Sequence, residues 1–415
     1  MKNTRIIYVV TSLILLCTIT VNLSGCASKD LMTGIRANAV SGLDDLSAHN
    51  AAVTDFAVRL FKASVKNGEN TLISPLSVLY ALAMTANGAD QKTLEEMQNV
   101  LGMTTEELNL YMYTYLSSLE QGKKYKLNLA NSIWFNDGSK LKVNKDFLQT
   151  NADYYGADVF EASFDKGTLN DINKWVDKKT DGTIPKILDE IRGESVMYLI
   201  NALAFEAEWD YVYESSDVSG GLFTKEDGTT CNASYMYSLE TAYLKDENAK
   251  GFIKYYRDNK YAFAALLPDE DITVSEYLES LDGETLYNLL SDPKEKYVKA
   301  YLPKFETETD LEMSSVLQNM GIVEAFDCDK ADFGKLGTST TGNIHINSVI
   351  HKTSIKVEEK GTKAAAATVS EFVECGVENI PLAKTVKLDR PFVYMLIDCE
   401  NNIPFFIGTM MDVGK

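Results

Sequence analysis

The stretch EEKGTKAAAATVSEFVECGV, residues 358–377, decides how the rest of the chain is read. Its first half, Gly361 to Thr368, holds only small residues and Lys363. Its second half sets Phe372 and three valines among acids. No proline lies between Pro303 and Pro381, so every backbone N–H here can donate into a β ladder. The local signal is ambiguous, because alanine favours helix and is depleted in strands. One reading is a short surface helix or a small-residue linker. The other is a segment exposed in one state and buried as a strand in another.

The chain has 415 residues, of which 45% are hydrophobic, enough for a large core. Its formal charge of −20 argues against nucleic-acid binding, which needs clustered Lys and Arg to neutralise phosphates. Anionic lipid surfaces and heparin-like polymers fit poorly for the same reason. Four scattered cysteines, Cys231, Cys328, Cys375 and Cys399, match no zinc spacing and no disulfide framework. They are expected to be mostly free. No metal or cofactor is expected. Only three histidines exist, His49, His345 and His351, and no Gly-x-Ser-x-Gly elbow is present. That speaks against a hydrolase.

The N-terminus reads as an address. Lys2 and Arg5 form a basic region, and Ile6 to Val21 is an apolar run, somewhat short for a membrane span. Leu23-Ser24-Gly25-Cys26 resembles the lipobox of bacterial lipoproteins. It implies a signal peptide over 1–25, lipidation of Cys26 and stable attachment to the bacterial cell membrane outside the cytoplasm, since two acyl chains hold where one is marginal; plain secretion with a chance cysteine is the alternative. Residues 26–47 read as a tether and 48–415 as one domain.

Within that domain the apolar spacing of Val53, Phe56, Ala57, Leu60 and Phe61 predicts a first helix. Ser74 and Pro75 suit the start of a second, which is apolar nearly all round and therefore buried. Residues 92–101, 104–119, 146–155, 169–180 and 311–319 predict further helices. Strands are expected over 127–135, 196–205, 299–305, 344–357, 393–398 and 405–410. Helices come first and long apolar strands lie near both ends, so the sheets join distant parts of the chain. This is an α+β domain of high contact order.

Several ordered motifs then carry a resemblance. They are Asn70 to Ser77 with Gly88-Ala89, Asn131 to Phe135, Ile172 to Val176, Asn201 to Phe205 with Trp209, Pro303 to Phe305, Ala331 to Phe333, Ile350 to Lys352, the stretch 358–368, and Asp389 to Phe392. Over 48–415 the chain resembles a serpin. The resemblance implies three β-sheets, eight to nine helices and an exposed reactive-centre loop at about 359–388. It implies a monomeric suicide-substrate inhibitor of a serine endopeptidase. The cleaved loop enters the main sheet as a new strand while the protease is held as an acyl-enzyme. Such loop insertion is a known strand addition and switch of the family. A non-inhibitory binder or chaperone on the same fold, and a cysteine-protease inhibitor, are the alternatives. Glu206-Ala207 and Tyr213 depart from the usual family residues, and the interval from Gly361 to Pro391 is a few residues longer than in most relatives.

The resemblance also assigns sites. The hinge is Glu359, Gly361, Thr362, Ala364, Ala365, Ala366, Ala367 and Thr368. Its spacing puts the reactive bond at Cys375-Gly376, with Val373, Glu374 and Val377 as alternates. Small apolar residues there suit an elastase-like target, and a trypsin-like one is disfavoured because no Arg or Lys lies between Lys363 and Lys384. Ser74, Ser77, Asn201, Trp209 and His351 are the conformational-switch core. If Thr362 points inward on insertion, so do Ala364, Ala366, Thr368, Ser370 and Phe372. Lys363 and Glu371 then face solvent, and no charge is buried.

Overall fold

The structure is a computed structural model that describes residues 28–119, 124–362 and 383–414. Among these residues lie nine α-helices and three sheets of seven, nine and two strands. The α+β architecture follows from the helices collecting near the N-terminus and the sheets drawing on the whole chain.

The seven-stranded sheet positions the site. Its order is Lys29–Asp30, Asp158–Ala162, Tyr125–Asn136, Met197–Glu208, Gly361–Thr362, Ser348–Glu358 and Phe305–Glu312. The central strand Met197–Glu208 is buried on both faces over most of its length, which is why it reads MYLINALAF without alternation. One face packs on the helix Pro75–Ala86, whose twelve residues are all buried. Ser74 caps this helix through its side chain, and Pro75 occupies the first turn, where its missing N–H costs nothing. The other face carries a second apolar cluster in which Ile172 and Val176 of the helix Lys166–Lys179 meet Trp134, Tyr198, Ile200 and Ile350. The sheet is thus covered on both sides.

Several expectations shift. The strand expected over 344–357 begins at Ser348. The helix expected over 311–319 is divided, because Leu311 and Glu312 end the strand Phe305–Glu312 and the helix runs Ser314–Met320. Two helices, Val274–Ser280 and Gly283–Ser291, had no sequence assignment.

The segment expected to be a tether lies on the domain from residue 28 onward. Lys29 and Asp30 pair with Glu161 and Phe160 on the sheet edge. Ser28 Oγ donates to Asp171 at 2.8 Å, and the Asn38 backbone N–H donates to Asp153 at 2.7 Å. Leu31, Met32, Ile35 and Leu43 pack against the core. An edge strand with free N–H and C=O groups is a template for pairing, and these two residues cover part of it. Among the described residues no helix is long and apolar enough to cross a membrane.

Candidate functional site

The site follows one line down the seven-stranded sheet, the seam between Met197–Glu208 and Ser348–Glu358. These strands pair directly and in parallel, from Ser348 opposite Tyr198 to Thr353 opposite Leu203. The seam is therefore shut over this length. Higher up the strands part, and Gly361–Thr362 occupies the space. Thr362 faces Ala207 on one side and Val357 on the other.

Polar groups gather behind the shut part. Asn131, Asn201 and His351 stand in one cross-strand row. The Ser74 backbone N–H donates to His351 Nε2 at 3.0 Å, so Nε2 is the acceptor and Nδ1 carries the proton. Nδ1 then donates to Asn201 Oδ1. Ser77 Oγ lies 3.4 Å from both Asn201 Oδ1 and Asn131 Oδ1, and the Ser77 N–H donates to Ser74 Oγ at 3.2 Å. All five residues are buried. Desolvation pushes the His351 pKa from 6.5 down to about 3, so the ring is neutral at ordinary pH. The Nδ2 atoms of Asn131 and Asn201 have no hydrogen-bond partner among the described residues. Such a row has hydrogen-bonding capacity to spare if the strands move apart.

The top of the seam is held differently. Trp209 is fully buried. Its backbone N–H donates to Lys360 O at 2.9 Å and its indole Nε1 to Glu358 O at 2.8 Å. The Tyr213 N–H donates to Glu359 O at 3.0 Å. Three successive carbonyls are thus gripped by two residues of one short segment. Lys304 Nζ lies 2.8 Å from the Glu359 carboxylate, with both side chains about one-third exposed. The Thr362 hydroxyl meets that of Tyr256, and Tyr256 stacks on Trp209 at 4.3 Å and 7°. Gly361 has φ +153°, and a Cβ there would stand 1.9 Å from Ala207 O, so only glycine fits.

The structure brings together Ser74, Ser77, Asn201 and His351 at the seam, and Trp209, Glu359, Gly361 and Thr362 at its top. Cys26, Ala364 to Thr368, Val373, Glu374, Cys375, Gly376 and Val377 lie outside the described residues. Asn131, Lys304, Tyr213 and Tyr256 join the site without having been assigned to it. Asn131 sits in a strand motif quoted above, and its place in the row was legible from the pairing of 127–135 with 196–205. Lys304 also sits in a motif quoted above, Pro303 to Phe305, and Tyr213 was noted only as a departure from the family residue; nothing local marks Tyr256. Cys231, Cys328 and Cys399, the cysteines among the described residues, are free.

The family model described as Serpin (serine protease inhibitor) matches residues 51–413. The chain belongs to the serpin family. An uncharacterised serpin-like protein of Thermococcus kodakarensis is 29% identical over 87% of this chain and 85% of its own length. Human serpin B9 is 30% identical over 86% and 97%. Among solved structures, the thermophilic serpin tengpin in its native state is 47% identical, with TM-score 0.88 over 93% of this chain and 99% of its own. Tengpin in its latent state gives 0.79. The shut seam thus accompanies a greater likeness to the native form. Serpins generally inhibit proteases rather than catalyse, and their partners are the proteases they act on.

Proposed function

We propose that this serpin is a suicide-substrate inhibitor of a serine endopeptidase with elastase-like preference, acting outside the cytoplasm from a lipid anchor at Cys26. The observation that carries the reading is the seated pair Gly361–Thr362 at the head of a seam that is otherwise closed. The residues that follow need only continue the ladder already begun. With Thr362 buried and inward-facing, Ala364, Ala366 and Thr368 fall on the same side and are small enough to pass. Insertion breaks the six register pairs of the seam, at ~1 kcal/mol each. It builds two ladders along about a dozen residues, for a gross gain on the order of 10–20 kcal/mol. The balance favours insertion once the loop is cut.

The protease attacks Cys375-Gly376 and is carried as an acyl-enzyme on the inserted strand. Cys375 fills the primary specificity pocket, and Val373 and Val377 flank it. The test is digestion with pancreatic or neutrophil elastase, followed by mass spectrometry of the released C-terminal peptide and thermal unfolding of the cleaved body. A peptide beginning at Gly376 and a cleaved body far more heat-resistant than the intact one support the reading. A cleaved body that melts like the intact one contradicts insertion. For the anchor, Cys26→Ser should release the protein from the membrane fraction, and a variant that stays membrane-bound removes the lipid assignment.

A further inference from the structure

Lys254 is a buried lysine to which the mechanism above gives no role. Only 2% of its side chain is exposed. Its ammonium lies 3.1 Å from Glu240 Oε1, its one carboxylate partner among the described residues. It also stands 4.3 Å from the centre of the Tyr213 ring and 5.4 Å from that of Trp209. These are the two residues that grip the carbonyls of Glu358, Glu359 and Lys360.

The hydrogen bonds close a circuit around Tyr213. Ser238 Oγ donates to Glu240 Oε1 at 2.6 Å, so the hydroxyl of Tyr213 must donate to Ser238 Oγ, at 3.1 Å. Glu240 in turn holds the Lys254 ammonium, and that ammonium lies over the Tyr213 ring. The ring is fixed on its face by the cation and at its hydroxyl by a chain that ends on the cation's counter-ion. A desolvated cation above an aromatic face is among the stronger such contacts.

We propose that Lys254 is a positioning residue for loop insertion. Its ammonium fixes Tyr213 and Trp209 as the clamp that keeps Gly361–Thr362 seated at the head of the seam. The inference rests on the loop-insertion reading for its purpose, but it is tested without a protease. Losing the cation frees the two rings, loosens the turn 358–360, and lets the seated pair leave and the seam open from the top.

The experiment is hydrogen–deuterium exchange of the whole chain, read by mass spectrometry, for the wild type, Lys254→Met and Lys254→Arg. The double variant Lys254→Met/Glu240→Gln serves if the single change leaves too costly an unpaired carboxylate to fold. Removing the cation should speed exchange across 358–362 by about tenfold, with the strand Asp158–Ala162 at the far end of the seven-stranded sheet unchanged. Lys254→Arg, which keeps a cation over the rings, should stay within about twofold of wild type. Unchanged or slower exchange at 358–362 overturns the proposal. So does a loosening shared equally by the distant strand, or a failure of arginine to restore protection. Absence of any protease complex would refute the inhibitory reading and leave these exchange outcomes standing.

Discussion

His351 makes the closed seam pH-sensitive in a calculable way. Its ring is fully buried and accepts the Ser74 N–H at Nε2, so protonation removes that acceptor and buries a charge. The unfolded chain takes up the proton near 6.5 and the folded chain only near 3. Between those values the unfolded state binds more protons, so stability falls as pH falls. The contribution is fully present above pH 6.5 and is lost progressively on acidification toward the folded pKa. At about pH 5 the loss from this one group is roughly 2 kcal/mol, and below the folded pKa it reaches roughly 5 kcal/mol. The perturbation is His351→Gln, whose amide offers an acceptor to Ser74 and a donor to Asn201 but does not titrate. Urea unfolding of both proteins at pH 8 and pH 5 isolates the term. The wild type should lose about 2 kcal/mol more than the variant over that interval. Equal losses in the two proteins would refute the neutral, desolvated ring and the role given to it.

Other perturbations act on the loop. Gly361→Ala places a methyl group against Ala207 O, so the seated pair should be expelled, with faster amide exchange at 358–362; unchanged protection there would show that the seat tolerates a side chain. Ala366→Arg, on the inward phase set by Thr362, should turn the protein from inhibitor to substrate. Ala365→Arg, on the outward phase, should leave inhibition nearly intact, and equal effects of the two in a stoichiometry titration would overturn the phase. Oxidation of Cys375 by peroxide should lower the inhibition rate by enlarging and charging the group that enters the protease pocket, and an unchanged rate would remove Cys375 from that position.

Much of the fold was legible because its signals are local. Ser74 and Pro75 opened the buried helix, and the apolar run from Val196 to Phe205, broken only by Asn201, marked the central strand. Other elements were hidden. The strand Phe305–Glu312 reads FETETDLE, whose acids look like a solvated loop, although Phe305 and Thr307 point inward at alternate positions. The helix Val274–Ser280 did carry a signal, the capping box from Thr273 to Glu276, in a stretch whose acids otherwise read as loop. The docking of residues 28–46 has little local signature, because Leu31, Met32 and Ile35 stand at helical spacing but are too few to predict an element, and Leu43 follows alone. The site divides in the same way. Ser74, Ser77, Asn201 and His351 came from motifs, whereas Tyr213, Tyr256 and Lys304 meet the hinge only through tertiary folding, and Lys254 acts on it through Tyr213 and Trp209.

The most direct test of the central claim is SDS gel electrophoresis after mixing the protein with pancreatic or neutrophil elastase. Covalent trapping gives a band at the summed mass of protease and inhibitor that survives boiling. Cleavage of the loop with no such band, at any ratio of the two proteins, would contradict inhibition by loop insertion.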